Sequence, residues 1–367
     1  MRSRNLLALA AAGVLAVGAA ACGSSSSSST SSTSTASSKK VGGTISGAGA
    51  TFPQPVYDEW GNRFKSKTGT TVNYNPIGSG GGIAQFTAGT VDFGASDAAM
   101  TDQEEAAAKK KGAPVHVPSV FGAVTVSYNV QGVKKGLKLD GATVANMFLG
   151  KVKKWNDPSI ATQNAGVKLP SQAITVCHRS DESGTTKLFT TFLAAYSPAW
   201  KNGPGVDKTV KWPTGTGAKG NDGVAACVKQ NQGAVGYVEQ AFALQNNFAT
   251  ADVKNKAGKY IPATLASTSA AGEGLKVPPD LRFSAINAPG PNAYPIASAT
   301  FILVYKDMCK AGKNQAVAQR VKNWLNYGQT DGQSVAQQLQ YAPLPGPIHT
   351  AAQAKVKGLT CNGKALK

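Results

Sequence analysis

The stretch C-H-R-S-D-E-S-G-T-T, residues 177–186, gathers an arginine, two acids, hydroxyls around a glycine and one of the three histidines. Arginine is scarce elsewhere: the chain has six, against 32 lysines. A nucleophile with its base, a metal site and an anion pocket could each be built from such residues.

The glycine-hydroxyl pattern recurs. G-A-G-A-T-F-P (47–53), I-G-S-G-G-G-I (77–83) and R-S-D-E-S-G-T-T (179–186) each read as strand, glycine with Ser or Thr, then helix start. The first N–H groups of a helix have no internal partner and carry the positive end of its dipole. Glycine lets an oxyanion approach them, and Ser or Thr adds an O–H donor. Three such turns meeting at one point would surround a tetrahedral oxyanion with neutral donors. Arg179 would add one formal positive charge in a planar fork. A fourth stretch, D-F-G-A-S-D (92–97), delivers Asp97 from the end of a strand. A carboxylate there repels a dianion unless the ligand carries a proton it can accept. Phosphate, with a second pKa of about 6–7, does so at neutral pH, and sulfate does not.

The elements that position these turns alternate. Short β-type runs fall at 41–46, 70–74, 91–95, 115–117, 123–128, 174–177, 235–238 and 300–305, bounded by Gly or Pro. Between them, Val56, Tyr57, Trp60 and Phe64 share one helical face, as do Leu188, Phe189, Phe192 and Leu193. Thr101 to Glu104 forms a capping box. The region 245–295 reads as loop-rich, and a helix is expected over 315–325. This alternation predicts an α/β fold.

Enzymatic alternatives find little support. Ser79 lacks a nucleophile elbow because Ile77 occupies the first glycine position. His116, His178 and His349 are scattered, and H-E-x-x-H is absent. There is no G-K-[ST], and 215–220 reads as a turn before a helix. Strand alternation points His178 away from Arg179. A receptor for sulfate or molybdate, and less readily a phosphate-ester hydrolase or a surface adhesin, remain as alternatives.

The N-terminus is a targeting segment. M-R-S-R and an apolar run to Ala21 have the layout of a secretory signal, residues 1–21. Cys22 stands where a bacterial lipoprotein carries its lipidated cysteine, although Ala19 departs from the usual branched residue. Residues 22–41 then form a Ser/Thr-rich linker. An exported protein with four remaining cysteines is expected to hold two disulfides. Three pairings are possible. Cys177–Cys227 with Cys309–Cys361 is favoured, the first pair lying mid-chain and the second pinning the C-terminal tail. Without residues 1–21 the net charge is +17. The lysines are spread and lack a basic-aromatic stripe, which argues against nucleic acid.

Together the stretches G-A-G-A-T-F-P-Q-P-V-Y (47–57), Y-N-P-I-G-S-G-G-G-I (74–83), V-D-F-G-A-S-D (91–97), L-G-K-V-K-K-W-N-D (149–157), R-S-D-E-S-G-T-T (179–186), K-G-N-D-G-V-A (219–225), G-A-V-G-Y-V-E (233–239) and Y-P-I-A-S-A-T-F-I-L (294–303) are specific. With them the chain resembles the high-affinity phosphate-binding proteins of bacterial ABC phosphate importers. The resemblance implies a two-lobed, periplasmic-binding-protein-like fold of type II with the ligand between the lobes. One lobe would be 42–121 plus 298–367, the other 122–297. It implies a phosphate shell of Thr51, Phe52, Ser79, Asp97, Arg179, Asp181, Ser183, Gly184 and Thr185, with Asp97 accepting the phosphate proton and Asp181 orienting Arg179. It also implies a membrane-anchored, monomeric receptor without cofactor or catalysis, serving an ABC permease. Two departures stand out: Gly80, where some relatives have serine, and Glu182, where a small residue is common. Glu182 is expected to face solvent.

Overall fold

In the computed structural model, which describes residues 42–367, the chain opens with β1 (Gly43–Gly49), α1 (Gln54–Thr68), β2 (Thr70–Pro76), α2 (Ser79–Ala88), β3 (Phe93–Ser96) and α3 (Asp102–Lys109). The expected signal segment 1–21, Cys22 and the expected linker at 22–41 lie outside the described residues. The long β4 (Pro114–Asn129) follows, then β5 (Lys138–Leu139), α4 (Gly141–Phe148) and α5 (Pro158–Ala161). Next come β6 (Thr175–Arg179), α6 (Gly184–Tyr196), α7 (Pro198–Asn202), β7 (Thr216–Ala218), α8 (Gly220–Gln230), β8 (Ala234–Glu239) and α9 (Gln240–Gln245). Then β9 (Ala249–Thr250), β10 (Asp252–Lys254), β11 (Tyr260–Ile261) and α10 (Leu265–Gly272) lead to β12 (Ala297–Tyr305). The chain finishes with α11 (Gln315–Gln329), α12 (Asp331–Gln338), α13 (Gly346–Lys357) and the ribbon β13 (Thr360–Cys361) with β14 (Lys364–Ala365).

The main sheet runs β2-β1-β3-β12-β4-β8-β6-β7, with β9 beside β4. On one flank β2, β1 and β3 are parallel, and on the other β8, β6 and β7 are parallel. The two flanks meet at β4, whose residues 114–123 pair with β12 and whose residues 124–129 pair with β8, both antiparallel. This gives the molecule its two lobes. Parallel strands joined through helices place each helix N-terminus at the carboxyl end of its strand, where ligands of open α/β sheets bind.

Sequence reading splits β4 into two strands at 115–117 and 123–128. Pro118 and Gly122 bound the two runs. The structure shows one strand with a register shift opposite Thr300 and Phe301. There Pro118 pairs with Phe301 and Val120 with Thr300, so Ser119 is the extra residue. A bulge tolerates the missing proline N–H, and Ser119 Oγ instead bonds the Tyr57 hydroxyl at 2.7 Å. The stretch 245–295 is loop-rich as expected, with the short β9, β10 and β11 and the helix α10 inside it. The turn expected at 215–220 contains β7.

The apolar faces pack as their periodicity predicts. Val56, Tyr57, Trp60 and Phe64 are buried on α1, and Leu188, Phe189, Phe192 and Leu193 on α6. Trp60 and Phe64 meet Trp324 and Tyr327 of α11 edge-on or tilted, and Trp60 Nε1 donates to the Gly332 carbonyl at 2.8 Å. In the K-V-K-K-W stretch, Trp155 is fully buried and donates from Nε1 to the Gly233 carbonyl at 2.9 Å. That bond ties the stretch to the start of β8. Among the described residues no helix is long and apolar enough to cross a membrane.

Cys177–Cys227 joins β6 to α8, and Cys309–Cys361 ties the loop after β12 to β13, the pairing favoured from the sequence. The second link spans 52 residues. Loop closure of that length constrains the unfolded chain by up to about 4 kcal/mol. Replacing Cys309 and Cys361 together by serine should lower unfolding free energy by about 2–4 kcal/mol in denaturant titrations, with native far-UV circular dichroism retained.

Candidate anion-binding site

Four helix N-termini converge at the carboxyl ends of the strands. Thr51 lies between β1 and α1, and Ser79 is the first residue of α2. Ser183 is the N-cap of α6, its Oγ accepting the Thr186 N–H at 3.1 Å. The fourth is the start of α8, at Gly220 and Asn221. Thr51, Phe52, Ser79, Asp97, Arg179, Ser183 and Thr185 are all buried.

Arg179 ends β6. Its Nε donates to Asp181 Oδ1 at 2.7 Å, its Nη2 donates to Asp181 Oδ2, and its Nη1 donates to Thr185 Oγ1 at 3.3 Å. The Arg179 backbone N–H donates to the Tyr237 hydroxyl at 3.1 Å, and that hydroxyl bonds Thr186 Oγ1 at 2.7 Å. Tyr237 is stacked on Phe189. Asp181 and Thr185 thus hold the guanidinium, and Tyr237 holds the backbone behind it. Asp181 also accepts the Gly220 N–H at 3.1 Å. Burial would raise the Asp181 pKa, but the hydrogen bonds and charge of Arg179 outweigh it and hold the carboxyl below its usual range.

Asp97 follows β3, on the opposite wall. Its N–H donates to Ser79 Oγ at 3.2 Å. Its Oδ1 accepts from Thr300 Oγ1 at 3.0 Å and its Oδ2 from Thr185 Oγ1 at 3.2 Å. Burial pushes the carboxyl up to about 7, against the opposing pull of Arg179 and of these hydroxyls. Thr185 thus stands between the cation and the acid, accepting from one and donating to the other.

Gly184 marks a close approach of the two walls. A Cβ there would fall 2.4 Å from Ser79 Oγ and 2.8 Å from Asp97 Cβ, so only glycine fits. Eight of the nine residues expected from the sequence lie in this cluster; Phe52 follows Thr51, and its carbonyl accepts from the Tyr341 hydroxyl at 2.7 Å. His178 lies outside it, stacked on Trp212 with ring centroids 4.6 Å apart. Glu182 is exposed at the rim, as expected.

Sequence reading missed Asn221. It is fully buried, and its N–H and Nδ2 donate to Thr51 Oγ1 at 3.1 and 2.8 Å. Its Oδ1 accepts the Glu239 N–H at 2.9 Å. The signal was present in K-G-N-D-G-V-A, a fourth strand-glycine-helix turn. Its donor is an amide rather than a hydroxyl. Thr300 was missed as well, since nothing in a β-branched run marks one hydroxyl as facing an acid. Among the described residues no cluster of three His, Cys, Asp or Glu is arranged to hold a metal.

Residues 34–331 match the PBP superfamily domain. The phosphate-binding protein PstS of Pasteurella multocida is 40% identical over 328 residues, covering 88% of this chain and 93% of that protein. PstS of Haemophilus influenzae is 40% identical over 86% of this chain and 92% of its own length. PstS 3 of Mycobacterium leprae is 35% identical over 85% and 86%. A high-affinity periplasmic phosphate-binding protein solved with phosphate superposes with a TM-score of 0.70 at 22% identity, over 85% of this chain and 93% of that one. A phosphate-binding protein of Stenotrophomonas maltophilia gives 0.67 at 22% identity over the same shares. At that identity the superpositions speak for the fold alone, and the sequence matches carry the assignment. With its paired flanks, converging helix starts and 40% identity across most of its length, the chain belongs to the PstS phosphate-binding proteins of the PBP superfamily.

Proposed function

We propose that the protein is an extracytoplasmic receptor that captures inorganic phosphate between its lobes and delivers it to an ABC-type permease. The observation that carries this reading is the combination, in one buried cluster, of helix-start donors and Arg179 with the carboxyl of Asp97. Donors alone would suit any oxyanion. A buried carboxyl among them suits an oxyanion that still carries a proton.

In this reading Thr51 and Ser79 give hydroxyl donors and Phe52 a backbone N–H. Ser183, Gly184 and Thr185 supply hydroxyl and N–H donors from the start of α6. Arg179 supplies the charge, Asp181 orients it, and Asp97 accepts the phosphate proton. The lobe assignment, 42–121 with 298–367 against 122–297, is supported by the change of partner along β4 between Ala123 and Val124 and by the start of β12 at Ala297. Ligand contacts from both lobes favour the closed state by their number there. Cys22 as a lipid anchor, an extracytoplasmic location and a monomeric state complete the proposal; they rest on the sequence of residues 1–41 and the family. No catalytic step is assigned.

Isothermal calorimetry on the mature protein tests the ligand: phosphate should bind and sulfate should not, and Asp97→Asn should narrow that difference. Equal binding of sulfate by the wild type would remove the basis for phosphate. Arg179→Ala should weaken phosphate binding by about 3 kcal/mol or more, roughly a hundredfold, because a charge-assisted fork is lost from a buried site.

Asp97 also links stability to pH. Its carboxyl titrates near 7 when folded and near ~3.9 when unfolded. Below the lower value both states are protonated and the protein keeps its full stability. Between the two values only the unfolded chain ionises, so stability falls as pH rises, and above the upper one the loss is complete. In phosphate-free buffer Asp97→Asn should therefore melt above the wild type near neutrality, and the gap should close towards about pH 4. A gap that stays constant with pH would contradict the raised carboxyl.

A further inference from the structure

A contact that makes no part of the proposed phosphate shell crosses the mouth of the site. Lys208 lies on the segment between α7 and β7, and that segment is pinned to α6. The Ser183 N–H donates to the Lys208 carbonyl at 3.0 Å, and Lys187 Nζ donates to the Val206 carbonyl at 3.1 Å. The Lys208 side chain is only 7% exposed. Its ammonium reaches α3, which packs against α2 and β4 on the other flank, and donates to Glu104 Oε1. Glu182 Oε1 stands 3.6 Å from the same ammonium.

Glu104 holds its position for a local reason. Its Oε2 accepts the Thr101 N–H at 2.8 Å while Thr101 Oγ1 accepts the Glu104 N–H at 3.2 Å, a complete capping box. One carboxylate oxygen thus caps α3 and the other meets Lys208. Glu182 is accommodated by a glycine on the facing wall. A Cβ on Gly80 would fall 2.0 Å from Glu182 Cδ, and the Gly80 N–H donates to the Glu182 carbonyl at 3.0 Å.

We propose that the Lys208–Glu104 pair is an affinity-setting latch: it forms only when the lobes meet, and it lengthens the residence of bound phosphate without touching it. The inference rests on the phosphate reading and lobe assignment above. Glu182 belongs to the same lobe as Lys208 and stays beside it when the lobes part, whereas Glu104 belongs to the other. The open form loses one carboxylate partner of a poorly hydrated ammonium. An interaction confined to the closed state shifts the open–closed equilibrium by its own free energy, and so appears as slower release. Lys208 and Glu104 are positioning residues in this scheme.

Stopped-flow measurement of phosphate release tests the latch on wild type, Glu104→Gln, Lys208→Met, their double variant and Lys208→Arg. Glutamine keeps the N3 capping bond, so Glu104→Gln removes the charge while sparing α3, and thermal melts verify that each variant folds. Either single removal should speed release by about tenfold, the double variant should match the singles, and Lys208→Arg should stay near the wild type. Release by Glu104→Gln within about twofold of wild type, or effects that multiply in the double variant, would overturn the latch. A wild type that takes up no phosphate in calorimetry would overturn the functional reading, and the latch with it. A wild type that binds, with variants that release unchanged, overturns the latch alone.

Discussion

The guanidinium of Arg179 is held almost wholly out of water, and a charge in that position is tolerated only when it is paired and fully hydrogen-bonded. Much of the second flank is arranged around this requirement. Asp181, two residues along, takes both edges of the fork, and Thr185 from the first turn of α6 takes a third N–H. Asp181 is itself anchored by the Gly220 N–H at the start of α8. Behind it, Cys177–Cys227 fastens β6, which carries Arg179, to α8, whose first N–H anchors Asp181. On the facing wall Asp97 has no cation bonded to it, and burial makes it hold a proton more tightly than a free carboxyl does. One acid is kept ionised and the other poised near neutrality, and the difference follows from which of them touches the arginine.

The site was legible because its chemistry is local. A glycine beside a hydroxyl at a helix start announces free N–H groups whatever the rest of the chain does, and three such turns survive without knowledge of the fold. Asn221 shows the limit of that rule, since an amide donor does the same work without the hydroxyl signature. The fold was legible where apolar spacing is regular, as on α1 and α6. It was not where strands are two or three residues long, as at β9, β10 and β11, because no period can be established over so few positions. Pro118 and Gly122 signal a break within β4, and only the pairing with β12, with its bulge, makes them acceptable within one strand. Contacts such as Lys208 with Glu104 join residues 104 positions apart, and no local pattern reports them.

Gly80 and Glu182 illustrate the same point from the other side. Read singly, each is a departure: a lost hydroxyl at one position and an added acid near an anion site at the other. In the folded chain they are one feature, since the acid occupies the volume that the missing side chain leaves open and turns towards Lys208. Its charge is thereby directed to the rim, where it is half exposed to solvent, rather than into the pocket.

The seam at β4 has a mechanical side. The two flanks share a continuous strand rather than a flexible linker, and the chain returns beside it where the Val124 N–H donates to the Ile296 carbonyl at 2.8 Å. A ladder cannot slide by one residue without turning every side chain to the opposite face. Translation of one flank along the other is therefore blocked, and twisting is resisted by two adjacent crossings. What remains is bending across a line, a single soft direction; closure on phosphate, as proposed, would bring the walls that carry Asp97 and Arg179 together along that one path.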